Sequence, residues 1–375
     1  MKCSSILWQS WVSMAPPNGK DDLAVLQTSI VSTVKLINNF SHALRSPIAP
    51  HAAIENPPQP LALLRDSCSI LKTQTTKLSL LILNKPFTPS AITYILNECS
   101  GGCLPAMMSA LQLFTPDKYT LLLHNHIKSS LSRIMMETLN LLDCIPQDEH
   151  GVDPQNRDTL ASTGVLWGEC DKMVTLASDG LVSLALQKVE QYHSLLKDAI
   201  TELDEWDPDE EDSDSEAESV KSIEQEERST ISLEKHTTDS SRQNSINSSI
   251  AEVKERSLKS LRTVRLLYPT LQKRRISTFP NITNTTSPQS LPPPRSLQNL
   301  DASISSAQYF TETADEVAGA LYDGNEEQVV RKLKFLEREA ESCSSTLRLN
   351  WQGQEDEFSE WIEKWVARLK EVIED

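Results

Sequence analysis

Apolar positions recur at helical spacing along most of the chain. Leu23, Leu26, Ile30, Val34 and Ile37 fall on one side of a helix over 21–46. The stretch "SPIAPHAAIENPPQP" (46–60) interrupts it with five prolines. A second stripe follows at Leu61, Leu64, Cys68, Leu71, Leu78 and Ile82. Pro86 and Pro89 punctuate it, and Pro89 suits a first helical turn. Residues 89–114 read as helix with a kink near Gly101-Gly102 and Pro105. Thr115-Pro116-Asp117 marks another start, and Ile127, Leu131, Ile134, Thr138 and Leu142 carry that helix towards residue 144. After a polar loop, Leu166, Cys170, Met173 and Ala177 share one face. The next stripe is Leu181, Leu184, Ala185, Val189, Tyr192, Leu196, Ile200 and Leu203. Nowhere does the period-two alternation of a strand appear.

The pattern changes abruptly near 202. "ELDEWDPDEEDSDSEAE" holds eleven acidic residues in seventeen, and no Phe, Trp or Tyr occurs between Asp207 and Leu267. A segment this charged cannot repay the entropy of ordering, so 207–249 is expected to be a disordered acidic, Ser-rich linker. Order returns with Ile250, Val253, Leu258, Leu261 and Val264, on a basic helix assigned to 250–278 that Pro269 ends or kinks. A Pro-rich linker spans 279–296. The remainder, 297–375, is helical again. Its stripes are Val329, Leu333, Leu336, Ala340, Cys343 and Leu347, then Phe358, Trp361, Ile362, Trp365, Leu369 and Val372, and Gly324 suits a helix cap. The expected architecture is all-α: a disordered N-terminus over 1–20, an N-terminal helical bundle over 21–206, and a second bundle after the acidic linker. The helix at 21–46 has two options, the first bundle or a crossover to the C-terminal helices.

Composition narrows the function. The net charge of −17 disfavours nonspecific contact with nucleic acid or an anionic membrane, and no apolar run reaches the length that spans a bilayer. The N-terminus lacks a convincing signal peptide, and Met14 is an alternative start to Met1. Seven scattered cysteines fit buried free thiols in a reducing compartment.

Several short stretches look chemical. "STGVLWGECD" (162–171) packs Trp167, Glu169, Cys170 and Asp171 together. On a helix, Cys170 and Trp167 turn to the core and the two carboxylates to the surface. Cys99-x3-Cys103 lacks a second ligand pair, and His124 and His126 point apart on a helix, so no metal is expected. "SGGC" lacks the rest of a phosphate loop. The expectation is therefore no enzyme, no cofactor, no small-molecule substrate and no membrane contact. The basic run 254–275 is read as a solvated face or a partner for the acidic linker rather than a direct nucleic-acid contact. Arg265-Leu266-Leu267 has the shape of a cyclin docking motif but is too short to be informative. Ser213 and Ser215 each precede an acid by three residues, an acidophilic kinase pattern; Arg274-Arg275-Ile276-Ser277 is a basophilic one.

The ordered set "STGVLWGECDKM", "DEWDPDEED", "LRTVRLLYPTLQK", "ADEVAGALYDG" and "WIEKWVARLKEVIE" resembles the cyclin-D-binding protein (GCIP) family over most of 60–375. The resemblance implies an all-helical, non-enzymatic protein of nucleus and cytoplasm, with bundles similar to those of vinculin, talin and α-catenin. It implies binding of cyclin-type or helix-loop-helix-type partners, such as a cyclin or transcription regulator, and restraint of cell-cycle progression. Trp167 and Cys170 match the family's Trp-x-x-Cys helix, and Leu321 and Tyr322 its Leu-Tyr pair; Trp361 and Trp365 lie in the terminal match. The long acidic insertion and the Pro-rich linker depart from the family pattern. The bundle similarity alone suggests the alternative of a cytoskeletal or adhesion-type adaptor.

Overall fold

The computed structural model describes residues 19–46, 58–115, 118–146, 157–207, 235–280 and 292–374. The expected N-terminal disordered stretch up to 18, the acidic run 208–234 with Ser213 and Ser215, and 281–291 of the Pro-rich linker lie outside the described residues. The fold is all-α, and no strand occurs among the described residues. The chain divides into two compact units, Met1–Ser183 with Asn281–Pro292, and Leu184–Pro280 with Pro293–Asp375.

The first unit contains α1 (Gly19–Arg45), α2 (Pro60–Leu83), α3 (Pro89–Glu98), α4 (Leu104–Leu113), α5 (Leu121–Asp143) and the first half of α6 (Arg157–Glu205). Of the two options open to α1, the structure takes the first: it packs on α3 and α5. Ser29 donates to Asn97 Oδ1 at 3.2 Å, and Lys128 donates to the Ser46 carbonyl at 3.3 Å. Leu26, Ile37, Leu64, Leu71, Ile92, Ile127, Leu131, Ile134 and Leu166 form the core. They are the positions that the 3.6-residue spacing puts inside.

The kink expected near Gly101 is a π-helical turn, Cys99–Cys103, and the Leu104 N–H donates to the Cys99 carbonyl. The cause is Pro105. It has no N–H for an i−4 bond and its ring crowds that carbonyl, which a widened turn relieves. Thr120 caps α5, its hydroxyl accepting from the Leu123 N–H at 3.2 Å.

Composition changes near 206, yet the units part within α6. Gly180 has φ 78° and ψ −170°, a region open essentially to glycine, and it breaks the run three residues before the boundary. Residues 184–205 therefore belong with the C-terminal helices rather than with the N-terminal bundle to which the sequence assigned them.

The second unit adds α7 (Lys235–Arg265), α8 (Leu267–Arg274), a 3₁₀ turn (Ile276–Thr278), α9 (Pro294–Tyr322), α10 (Glu326–Leu347) and α11 (Glu357–Glu374). Helix α7 begins upstream of Ile250, inside the stretch assigned to the linker; its side chains are described from Ser249 onward. Pro269 cannot donate to Arg265, and α7 ends there. Gly324, at φ 65°, closes α9: its N–H donates to the Leu321 carbonyl and the Asn325 N–H to Ala320, which satisfies the last carbonyls of the helix. Lys254 caps the end of α6 by donating to the carbonyls of Asp204 and Trp206, and Arg262 pairs with Asp204 at 2.8 Å. Helices α9 and α10 pack side by side, and α11 covers α7 and α10.

Candidate functional site

The 162–171 segment lies on α6, antiparallel to α2. Lys72 pairs with Asp171 at 2.6 Å, and Ser79 shares a hydrogen bond with Thr163. Leu166, Cys170 and Met173 are fully buried, as their shared face requires. Trp167 is half-buried, with its Nε1 enclosed and without a hydrogen-bond partner among the described residues. Asp171 is on the surface. Glu169 is not. Only 4% of its side chain is exposed, and its carboxylate pairs with Arg133 of α5 at 3.1 Å and Lys172 at 2.9 Å. The expectation of an outward Glu169 fails because α5 covers this side of α6 and supplies the cation.

This geometry does not make Cys170 a nucleophile. Burial pushes its thiol up to about 12, and the Asp171 carboxylate adds to the shift. The thiol is the species present at neutral pH, and thiols are poor nucleophiles. Cys68 is raised in the same way, by burial and then by Cys170 and Cys103. Within the π turn a hydrogen bond between Cys99 and Cys103 raises the first thiol and lowers the second. Among the described residues no three His, Cys, Asp or Glu side chains are placed to hold one metal ion. His124 is buried, its Nδ1 bonded to the Phe114 carbonyl at 2.8 Å, and burial lowers its pKa. It ties the end of α4 to the start of α5.

Of the six described cysteines, five are buried and Cys144 is half-exposed. A thiol reagent at pH 8 is expected to label Cys144 first and the other five only on unfolding, read by peptide mass mapping. Fast native labelling of Cys170 contradicts this environment. Glu169→Gln is expected to cost only about 1 kcal/mol, because Arg133 and Lys172, 59% and 62% exposed, return to water and no buried charge is left unpaired. Urea unfolding of the full chain measures it.

In the second unit, Leu267 is fully buried while Leu266 is 55% exposed, so the leucine that an Arg-x-Leu docking motif must display is withdrawn into the core. Leu321 is buried, and Tyr322 lies edge-on to Trp206 with ring centroids 5.0 Å apart. Trp365 is buried and its Nε1 donates to the Thr263 carbonyl at 2.8 Å; Trp361 is half-buried and stacks on it at 6.2 Å. Ser277 is exposed on the 3₁₀ turn and donates to the Gln272 carbonyl at 2.8 Å.

Sequence reasoning passed over Arg275, which it counted in a solvated basic run. Arg275 is 1% exposed. It grips both carboxylate oxygens of Asp356, at 2.7 and 2.9 Å, and donates to the carbonyls of Leu347, Arg348 and Arg274. Its guanidinium lies 4.4 Å from the Phe358 ring centre, and its carbonyl accepts from Trp351 Nε1. A cavity of about 420 Å³ opens nearby between the start of α9 and the end of α10, lined by Arg295, Ser296, Asn299, Thr346, Trp351 and Gln352.

These features define an all-α protein of two helical units in which a few buried polar side chains, such as Glu169 and Arg275, tie one helix to another. Residues 63–209 match the family described as Grap2 and cyclin-D-interacting, N-terminal, and this stretch is a domain of that family. It runs from α2 through α6. The chain is also similar to an uncharacterized protein of Schizosaccharomyces pombe, 25% identical over 332 residues, which are 84% of this chain and 85% of that protein.

Proposed function

We propose that this protein is a non-enzymatic interaction protein that regulates cell-cycle progression or transcription in nucleus and cytoplasm by binding a cyclin-type or helix-loop-helix-type partner. The match over 63–209 carries the reading, since the family's description names cyclin D and the match falls on α2 to α6. The first unit has surface to offer: Ile70, Leu80, Tyr94, Leu121, Met136 and Val165 are each about half exposed on its helices. Apolar side chains on a rigid helix face are what a partner helix packs against. Net charge of −17 supports a protein partner over nucleic acid.

The test is affinity purification of the tagged full-length chain with mass spectrometry, followed by direct titration with a purified D-type cyclin. Cyclins or transcription regulators are expected among the specific partners. Tyr94→Asp and Met136→Asp together are expected to weaken capture while leaving helical content unchanged. Recovery of actin-associated proteins, with no cyclin or nuclear factor and no binding of the purified cyclin, overturns the reading in favour of a cytoskeletal adaptor.

A further inference from the structure

We propose that Ser277 is a phosphorylation site for kinases that read an arginine three residues before the serine, and that Arg274 and Lys273 receive the phosphate. The proposal rests on how the fold sorts two adjacent arginines. Arg275 is withdrawn into the core and fully engaged, so it is closed to a kinase. Arg274 is half exposed, and its one ion pair among the described residues, to Glu357 at 3.0 Å, joins it to a side chain that is itself 82% exposed. Such a pair is weak and readily exchanged. Ser277 is exposed three residues further on, on the 3₁₀ turn. The fold thus presents the serine and the arginine three before it, and hides the arginine two before it.

Modification changes the local chemistry in a defined way. The Ser277 hydroxyl now donates to the Gln272 carbonyl in the last turn of α8. A phosphate dianion has no proton to donate at neutral pH, so that bond is lost. The new charge sits beside a helix C-terminus, which repels it. Cations must compensate. Lys273 is exposed and carries no ion pair among the described residues, and Arg274 needs only to leave Glu357. An arginine–phosphate pair is stronger and more directional than the exposed arginine–glutamate pair it replaces. The Arg275–Asp356 contact need not move, so the modification rewrites the surface charge at this corner without dismantling the unit.

The experiment incubates the purified full chain with a kinase of this specificity, ATP and magnesium, and maps the phosphate by mass spectrometry. A synthetic peptide covering 270–282 runs beside it. Ser277 is expected to be the main site in the folded chain. Arg274→Ala is expected to slow the initial rate about tenfold or more, the loss of one charge-assisted contact, and Ser277→Ala to abolish it. Phosphate on the peptide but not on the folded chain overturns the proposal, as does phosphate only at other serines or on neither. The receiving role is read separately by phosphorus NMR. The second phosphate pKa, about 6 for an unpaired phosphoserine, is expected to fall in the native chain and to rise back on denaturation in urea. An unchanged value in native and denatured chains rejects Arg274 and Lys273 as the receivers.

Discussion

Arg275→Ala is expected to destabilise the second unit by about 3 kcal/mol, the lower end of the range for removing one partner of a buried ion pair, because Arg275 is buried but the Asp356 side chain is 36% exposed. The loss is large because several groups lose a partner at once, although the Arg348 carbonyl keeps Ser359 and Asp356 keeps the Phe358 and Ser359 N–H groups. The Leu347 and Arg348 carbonyls lose the guanidinium at the end of α10, and Asp356 loses the cation that holds it at the start of α11. Phe358 loses the plate stacked on its face. Hydrogen exchange on the full chain locates the effect: protection is expected to fall in 267–280 and 340–374 and to persist in α2 to α5. A loss under about 1 kcal/mol, within the range of a surface pair, sinks the assignment. Acid supplies a second readout. The hydrogen bonds from Arg275 hold the Asp356 carboxyl below its ordinary 3.8. A lowered folded pKa means that the contribution is fully present above 3.8 and is lost as pH falls through the folded value. The gap between wild type and Arg275→Ala is therefore expected to narrow below about pH 4.

Arg275 and Glu169 show where a sequence stops revealing the fold. Helix positions follow from local periodicity, because the face that must be buried repeats every 3.6 residues. The stripes Leu61–Ile82 and Val329–Leu347 were legible for this reason, as were the Gly324 cap and the break at Pro269, each set by one residue's backbone chemistry. Burial of a charge is a different kind of fact. Arg275 finds Asp356 81 residues away, and nothing near Arg275 marks it apart from Arg274. Glu169 likewise depends on Arg133, on another helix. Both departures are charged residues whose partners are distant in sequence. Gly180 is intermediate. The apolar stripe does restart between Ala177 and Leu181, but a single glycine inside a helical pattern is usually tolerated, and only its positive φ identifies the boundary. The acidic run at 207 drew attention to composition, whereas the division of units follows backbone geometry.

Trp365→Ala is expected to cost about 3–5 kcal/mol, as for a fully buried aromatic side chain. The cost comes mainly from the cavity. Its indole fills the space between α7, α9 and α11, edge-on to Phe310 at 6.1 Å and stacked beside Trp361. The hydrogen bond matters less than it first looks, because the Thr263 carbonyl also accepts from the Leu266 N–H and is not orphaned when the indole goes. Trp365→Phe therefore restores most of the stability if packing dominates, and little of it if the indole N–H is the essential contact. Trp361 sits four residues earlier with the same chemistry but is less completely buried. Its removal to alanine is expected to cost less than that of Trp365, since the energy scales with the apolar area withdrawn from solvent. Denaturation of the two single variants and the double variant decides the matter. The stacked pair is expected to couple by about 0.5–1.5 kcal/mol. Equal losses for the two tryptophans are incompatible with a packing layer centred on Trp365, and additive losses mean that the stack between them contributes nothing beyond burial.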